Sequence, residues 1–290
     1  MIYQQMNSRF SNLIFNQKSI TAEEFTQICD LVYRKSGIIL TEKKKSLVVG
    51  RLGKILLQNG FSSFGEYFTW VNSDRTGRAL NSLLDRISTN HTYFYRENEH
   101  FDFIRNMILP EYLERNKNQD SGEYRIWCAG CSTGEEAYVV AMLMMDAKKN
   151  MMKEWNVRIL GTDISRAALS VAESGIYSED NIGRLPAHLR SDYFDKLKDG
   201  KYAVKSRVKD IILFRRLNLV RESYPFKRKF NIILCRNVMI YFDDQTRAAI
   251  TDRFYDYTEP GGYLFTGHSE SLNRTKTRYS YIQPAIYKRN

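Results

Sequence analysis

Cysteine is scarce in this chain of 290 residues, and the four present (Cys29, Cys128, Cys131, Cys235) have no clustered histidine beside them. That is too little for a disulfide framework, and a zinc site would want a second close pair. Cys128-x-x-Cys131 is the one close spacing. Cys128 falls in a segment that reads as a buried strand, where a thiol behaves as a small apolar residue. No metal is expected. The sequence also lacks an apolar run of membrane-spanning length and a signal-peptide pattern over Met1–Ile20. No direct membrane insertion is therefore expected, and the expected compartment is the cytoplasm. Acids are outnumbered, 33 Asp/Glu against 44 Lys/Arg, for a formal net charge of +11. Such a balance calls for an acidic partner, whether nucleic acid, an anionic surface or an acidic protein.

The chain is organised around Tyr124–Tyr138. Tyr124 to Ala129 is short, apolar and β-prone, and Gly130 to Gly134 is a turn of small residues. From Glu135 the apolar spacing (Ala137, Val140, Ala141, Leu143, Met144) is helical, with two acids in the first turn, where they suit the helix dipole. A second strand, Val157 to Leu160, leads to Gly161-Thr162-Asp163, which sets an acid where it can accept hydrogen bonds from ribose hydroxyls. The turn lacks the lysine that a P-loop places after its last glycine, since Glu135 follows Gly134. It also lacks the G-x-G-x-x-G spacing of dinucleotide sites, and its acids would repel a pyrophosphate. A cationic, phosphate-free nucleoside fits, and S-adenosylmethionine (SAM) is of that kind. A purely structural turn with no ligand would use the same residues.

Length allows one large domain or two modest ones. Residues 1–20 read as a flexible leader. Thr21-Ala22-Glu23-Glu24 caps a helix through about Lys35, Gly37 ends it, and Thr41-Glu42 opens a second helix to about Asn59-Gly60. Two shorter helices follow, around Ser63–Val71 and Asp74–Ile87, so residues 21–88 form a small all-helical domain. On the second helix Val48, Val49, Leu52, Ile55 and Leu56 share an arc of about 120°, with Lys43, Lys44, Arg51 and Lys54 in an adjacent arc of about 100°. The basic stripe is either an ordinary solvated face or a dock for an acidic substrate surface.

Residues 89–100 pack three aromatics and Arg96 among polar groups and are expected to fold over the cofactor site; a helix then runs from about Glu99 to Glu114. A helix covers Ser165–Ser174, and short helices are expected from Ile176-Tyr177 to Phe194. Lys196–Val204 is a hairpin with an Asp199-Gly200 turn, and the β run is expected to continue through Ser206–Val208. Residues of about 177–210 thus form an inserted antiparallel subdomain within a domain spanning 101–290. Strands at Ile211–Leu217, Phe230–Leu234 and Tyr263–Thr266 alternate with a helix from Asp243-Asp244 to about Thr258, which Pro260-Gly261-Gly262 breaks. Arg278–Tyr287 supplies a closing hairpin. The expected class is α/β, a Rossmann-like parallel sheet covered on both faces, with the ligand at its carboxyl edge.

These motifs, taken in order, resemble the CheR family of chemotaxis methyltransferases. The likeness runs through Thr89–Glu97, Ser132-Thr133-Gly134-Glu135-Glu136, Asp163-Ile164, Asn218-Leu219, Cys235–Phe242 and Gly267-His268-Ser269-Glu270. It implies a helical N-terminal domain before a class I SAM-dependent methyltransferase domain that esterifies receptor glutamates and releases S-adenosylhomocysteine. By matching position it implies cofactor contacts from Asn90, Thr92, Arg96, Gly130, Glu136, Asp163, Asn218, Leu219, Arg236 and Asn237. Arg96 and Tyr241 would lie beside the transferable methyl and serve catalysis. A glutamate is already anionic at neutral pH, so the transfer needs orientation and desolvation but no general base.

Family members that dock on a receptor's C-terminal pentapeptide carry a longer, glycine-containing loop in the subdomain hairpin. Here the turn is a bare Asp199-Gly200, so pentapeptide-independent docking on the cytoplasmic helices of chemoreceptors is expected, through Lys43, Lys44, Arg51 and Lys54. Two other classes compete. A nucleic-acid methyltransferase would share the fold and the charge, but the Asp/Asn-Pro-Pro-Tyr/Phe turn is replaced by Cys235-Arg236-Asn237-Val238, and no Pro-Cys nucleophile is present. No nucleic-acid partner is expected. A module that binds SAM or its product and signals without catalysis is the third reading.

Overall fold

A computed structural model describes residues 19–116, 122–150 and 155–290; the expected leader lies, up to residue 18, outside them. The chain divides into two compact units, one ending at Thr89 and the other starting at Asn90.

In the first unit, helix α1 (Ala22–Ser36) starts at a capping box: Thr21 Oγ1 accepts from Glu24 N, and Glu24 accepts from Thr21 N. This satisfies two of the amide groups that a helix start leaves open. Gly37 closes it at φ 71°, a left-handed conformation open to glycine at no steric cost. Helix α2 spans Lys45–Asn59; α3 (Phe64–Ser73) packs on α1, and α4 (Arg78–Ile87) packs on α2 and α3, with Ile28, Val32, Val48, Leu52, Leu56, Tyr67 and Leu84 all buried. Each such apolar side chain contributes roughly 1.5–3 kcal/mol. One boundary is corrected. Glu42–Lys44 is a 3₁₀ turn and the α-helix begins only at Lys45, so Lys43 and Lys44 stand before the helix and the four cations do not share one α-helical stripe. Thr41 makes no side-chain cap bond to start an α-helix there.

The second unit is built on a seven-stranded sheet in the order β6-β2-β1-β7-β8-β10-β9. Its strands are β1 (Glu123–Ala129), β2 (Asn156–Asp163), β6 (Ile212–Arg216), β7 (Phe230–Cys235), β8 (Thr258–Thr266), β9 (Ser280–Gln283) and β10 (Ile286–Lys288). The first five run parallel and the last two antiparallel. Because β1, β2, β6, β7 and β8 are parallel, their ends Ala129, Asp163, Arg216, Cys235 and Thr266 share one edge. Trp127 is fully buried in β1 and ties it to β2 through Nε1 to Thr162 Oγ1, at 2.8 Å.

Helix α5 (Glu99–Phe103) leads through a π-turn, Ile104–Ile108, into α6 (Leu109–Arg115). The widening falls just before Pro110, which has no N–H to return to the preceding turn. Helix α7 (Glu135–Asn150) follows β1, and α8 (Arg166–Ser174) follows β2 with Ser165 as its N-cap.

Three further sequence expectations need correction. Ile176–Tyr177 is a short strand, β3, paired with β5 (Tyr202–Val204), and the helices α9 (Glu179–Ile182) and α10 (Ala187–Tyr193) follow it. With β4 (Phe194–Lys196), β5 and β3 form a separate three-stranded sheet. Ser206–Lys209 is a helical turn, α11, closed by Asp210 N donating to Ser206 O, and continues no strand. Pro260-Gly261-Gly262 lies inside β8, where a register shift and Gly261 at φ 76° absorb it, instead of separating helix from strand. Helix α12 (Asp244–Tyr257) ends at Thr258, where β8 begins. The hairpin turn keeps its expected form: Gly200 sits at φ 81° and Leu197 N donates to Lys201 O at 2.7 Å.

Candidate active site at the carboxyl edge of the sheet

The turn after β1 is held by sterics and by β2. Gly130 has φ 83°, and a Cβ there would run into Val238, while one on Gly134 (φ 97°) would meet Ala172 Cβ at 2.8 Å. Backbone N–H groups of Gly130 and Cys131 donate to Thr162 O at 2.7 and 2.9 Å. Asp163, buried at the tip of β2, accepts from Ser132 N and Ser165 N, both at 2.8 Å. Ser132 Oγ in turn donates to Asn90 O at 3.1 Å, which joins the segment before Thr92 to this turn. Leu217 N donates to Asp163 O at 3.0 Å, so Asn218 and Leu219 leave β6 beside the same acid.

On the other side of the turn stands Arg236, buried just past β7. Its Nη1 donates to Glu136 Oε2 at 3.0 Å, and Nε and Nη2 donate to Glu97 Oε2 at 3.3 and 3.1 Å. Nη2 also donates to the Arg96 carbonyl. Asn237 Nδ2 and His268 N donate to the second oxygen of Glu97, at 3.2 and 3.3 Å. Burial raises the Glu97 carboxyl, but Arg236, Asn237 and the His268 amide outweigh it and hold its pKa below the ordinary value. For Glu136 burial prevails over Arg236, and its pKa is raised. Arg96 Nη1 donates to His91 O at 3.2 Å, and its guanidinium lies 5.7 Å from the Tyr93 ring.

Sequence reasoning assigned no role to Glu97, Ser132 or Glu270. Glu270 is buried and accepts from the backbone N–H of Gly267 (2.6 Å), Asn237 (2.6 Å) and Ile240 (3.0 Å), fixing the turn that carries Asn237 and Tyr241. Tyr95 (φ 64°), Glu97 (φ 52°), Ser132 (φ 49°) and Asn237 (φ 59°) are four of the five non-glycine residues with left-handed backbone among the described residues, and all four belong to this edge. Such strain persists where surrounding structure over-determines it, and it gathers at functional sites. The signal in the sequence was the aromatic density before helix α5: Phe94 is fully buried against Tyr177 and Phe194, at 4.9 and 5.7 Å between ring centroids.

Ligand-type atoms of Glu97, His100 and His268 lie within 4.8 Å of one another. The Glu97 oxygen facing His100 already holds Arg236, whose charge would repel a cation. Cys128 and Cys131 are buried with pKa values pushed well up by burial, opposite to a reactive thiolate. In the first unit Arg51 Nη1 donates to the carbonyls of Arg86, Ile87 and Ser88 at the end of α4, at 3.3, 2.8 and 2.9 Å. Lys44 Nζ lies 3.4 Å from Ile39 O, whereas Lys43 and Lys54 are exposed.

Residues 90–287 match the family described as CheR methyltransferase, SAM binding domain, and residues 23–88 match its all-alpha domain. The chain belongs to the CheR family of methyltransferases. A chemotaxis protein methyltransferase of Borreliella burgdorferi is 44% identical over 272 residues, which cover 94% of this chain and 96% of that one. The Escherichia coli chemotaxis protein methyltransferase is 32% identical over 93% of this chain and 91% of its own. A probable chemotaxis protein methyltransferase of Rhizobium etli is 38% identical over 84% and 90%. The chain is thus a SAM-dependent methyltransferase of the chemotaxis family, with a class I fold behind an all-helical domain. No helix among the described residues is long and apolar enough to cross a membrane.

The donor set fits that cofactor. The glycine turn holds no lysine, and the acids beside it, Glu136 at the helix start and Asp163 at the tip of β2, suit a nucleoside bearing positive charge and no phosphate. Arg236 has four of its five guanidinium N–H groups engaged, and the one remaining is on Nη1.

Proposed function

We propose that the enzyme methylates glutamate side chains on the cytoplasmic helices of chemoreceptors, and that the carboxyl-edge residues divide the work. Asp163 accepts the ribose hydroxyls, with Asn218 and Leu219 beside the adenosine. Glu136 faces the cofactor ammonium, and Arg236 and Asn237 face its carboxylate. Asn90, Thr92 and Gly130 complete the cradle. Bound SAM supplies a methyl on a sulfonium: a glutamate oxygen takes the methyl, and the carbon–sulfur electron pair stays with sulfur. Arg96 steers the incoming carboxylate with its guanidinium N–H groups, and the Tyr241 hydroxyl positions it. Proton removal plays no part, since the acceptor is already anionic. The observation that carries the reading is the pairing of a buried Asp163, held by two amides, with the Glu97–Arg236–Glu136 cluster across one glycine turn.

Docking on the receptor is assigned to the basic face of the first unit, led by the exposed Lys43 and Lys54. Arg51 is drawn by its Nη1 onto the carbonyls that end α4. The three-stranded sheet has only the short Asp199-Gly200 turn to offer a peptide, so docking proceeds without a receptor pentapeptide. Submicromolar binding of such a peptide to the protein would refute this part.

The test is transfer of labelled methyl from SAM to receptor-rich membranes, followed by alkaline hydrolysis. Label released as methanol is expected, and Arg96→Ala should lower turnover by about 100-fold if orientation dominates. Label stable to alkali would mean a nitrogen or carbon acceptor. No label with cofactor binding intact would favour a signalling module.

A further inference from the structure

Two acids share Arg236, and only Glu136 has a part in the cofactor site assigned above. We propose that Glu97 is a positioning residue that acts through Arg236 on the amino-acid end of the cofactor. The proposal rests on the reading that places Glu136 at the cofactor ammonium and Arg236 at its carboxylate.

The geometry gives Glu97 two tasks. First, it sets the plane of the guanidinium. One carboxylate oxygen takes Nε at 3.3 Å and Nη2 at 3.1 Å, and Nη2 is pinned again by the Arg96 carbonyl. Glu97 is itself fixed by Asn237 Nδ2, by the His268 amide and by its own left-handed backbone. With that side of the fork occupied, Nη1 is turned toward Glu136, and its second N–H is the single guanidinium donor left over. Second, Glu97 balances charge. The Arg236 side chain is 3% exposed and each acid side chain 14%, so these groups act on one another with little screening by water. Arg236 and Glu136 alone would form a neutral pair with nothing to attract an ammonium. With Glu97 and Glu136 both ionised the cluster keeps one net negative charge, on the side where the reading above places the ammonium. Glu97 meets this condition at neutral pH, since Arg236, Asn237 and His268 outweigh its burial.

The role predicts selectivity within one ligand. S-adenosylhomocysteine and 5′-methylthioadenosine share the adenosine but differ in the amino-acid end. Calorimetry on the full chain should show Glu97→Gln raising the S-adenosylhomocysteine dissociation constant about tenfold, the loss expected for a charge-assisted contact. The 5′-methylthioadenosine constant should stay within about twofold, which also reports an intact adenosine pocket. Equal loss for both ligands would make Glu97 a scaffold residue and overturn the proposal, as would no change in either. Glu97→Asp keeps the charge and should bind S-adenosylhomocysteine more tightly than Glu97→Gln does; the reverse order would also overturn it. Glu136→Gln separates the two layers. If that variant discriminates between the ligands and Glu97→Gln does not, Glu97 alone has been misassigned. If neither discriminates, the placement of the cofactor's amino-acid end has failed.

Discussion

The two edges of the seven-stranded sheet carry the same kinds of residue and use them differently. At the amino edge Glu123 pairs with Arg125 (3.3 Å) and Arg228 (2.8 Å), and Glu111 with Lys288 and Arg115 (both 2.5 Å). A cavity of about 840 Å³ opens there, lined in part by Glu111, Arg115, Glu123 and Arg228. At the carboxyl edge the buried cation is Arg236, with a side chain 3% exposed, against 69% for Arg228. Concavity and paired charges are thus present at the amino edge. Burial and backbone strain choose the other, where four left-handed non-glycine residues converge on one arginine and one aspartate. Charges exposed to water can pair and part at little cost, whereas charges withdrawn from it must be partnered, and their partners are then set in place.

Removing the cation is the hardest test of this contrast. Arg236→Ala would strand Glu97 and Glu136 together without a counter-charge. Breaking a buried pair in this way costs about 3–5 kcal/mol, and urea denaturation at neutral pH should show a loss of that order. The deficit should shrink on acidification, because protonating either acid removes one stranded charge. S-adenosylhomocysteine binding should fall by more than about 100-fold, combining lost contacts with a disordered turn. A loss below about 1 kcal/mol would place Arg236 with the surface pairs and erase the distinction between the edges.

Glu135 offers a finer cut. The residue is 2% exposed, its carboxylate accepts from Thr133 Oγ1 at 2.7 and 2.9 Å, and burial raises its pKa above the ordinary value. The folded state therefore binds this proton more tightly than the unfolded chain does. Stability from this group is greatest in acid and declines as pH rises through the raised folded pKa. Glu135→Gln keeps an oxygen for Thr133 and removes the buried charge. It should stabilise the protein by about 1 kcal/mol at pH 8 and by almost nothing near pH 4, as read from denaturation midpoints at the two pH values. Stability lowered at pH 8 would show that the helix dipole, and not burial, governs this acid.

How far the chain could be read in advance follows the same physics. Asp163 and the turn from Gly130 to Gly134 were legible because each is defined by neighbours in sequence: a strand, its end, and a helix start. Asp199-Gly200 was legible for the same reason. Ile176–Tyr177 and Ser206–Lys209 were misread because two residues of strand and four of helix hold too little periodicity to show a face. Lys43 and Lys44 follow a helical pattern that Thr41 does not cap. Glu97 was missed as a site residue for a deeper reason. Its partner Arg236 lies 139 residues away, and only the folded sheet makes the two neighbours.

The smallest effect is expected from the amino edge, and its smallness is the point. Arg228→Ala removes the 2.8 Å contact to Glu123, whose side chain is 27% exposed and retains Arg125. Water solvates the carboxylate left behind, and the long arginine side chain regains its rotamer freedom. The change should cost no more than about 0.5 kcal/mol and be invisible in cofactor affinity. Raising the salt concentration should reduce even that difference, since exposed pairs are screened, while leaving the Arg236→Ala deficit in place. A loss at Arg228 of 2 kcal/mol or more, or any salt-resistant loss of S-adenosylhomocysteine binding, would mean that the two edges communicate through the strands between them. The amino-edge cavity would then have to be counted as part of the working enzyme.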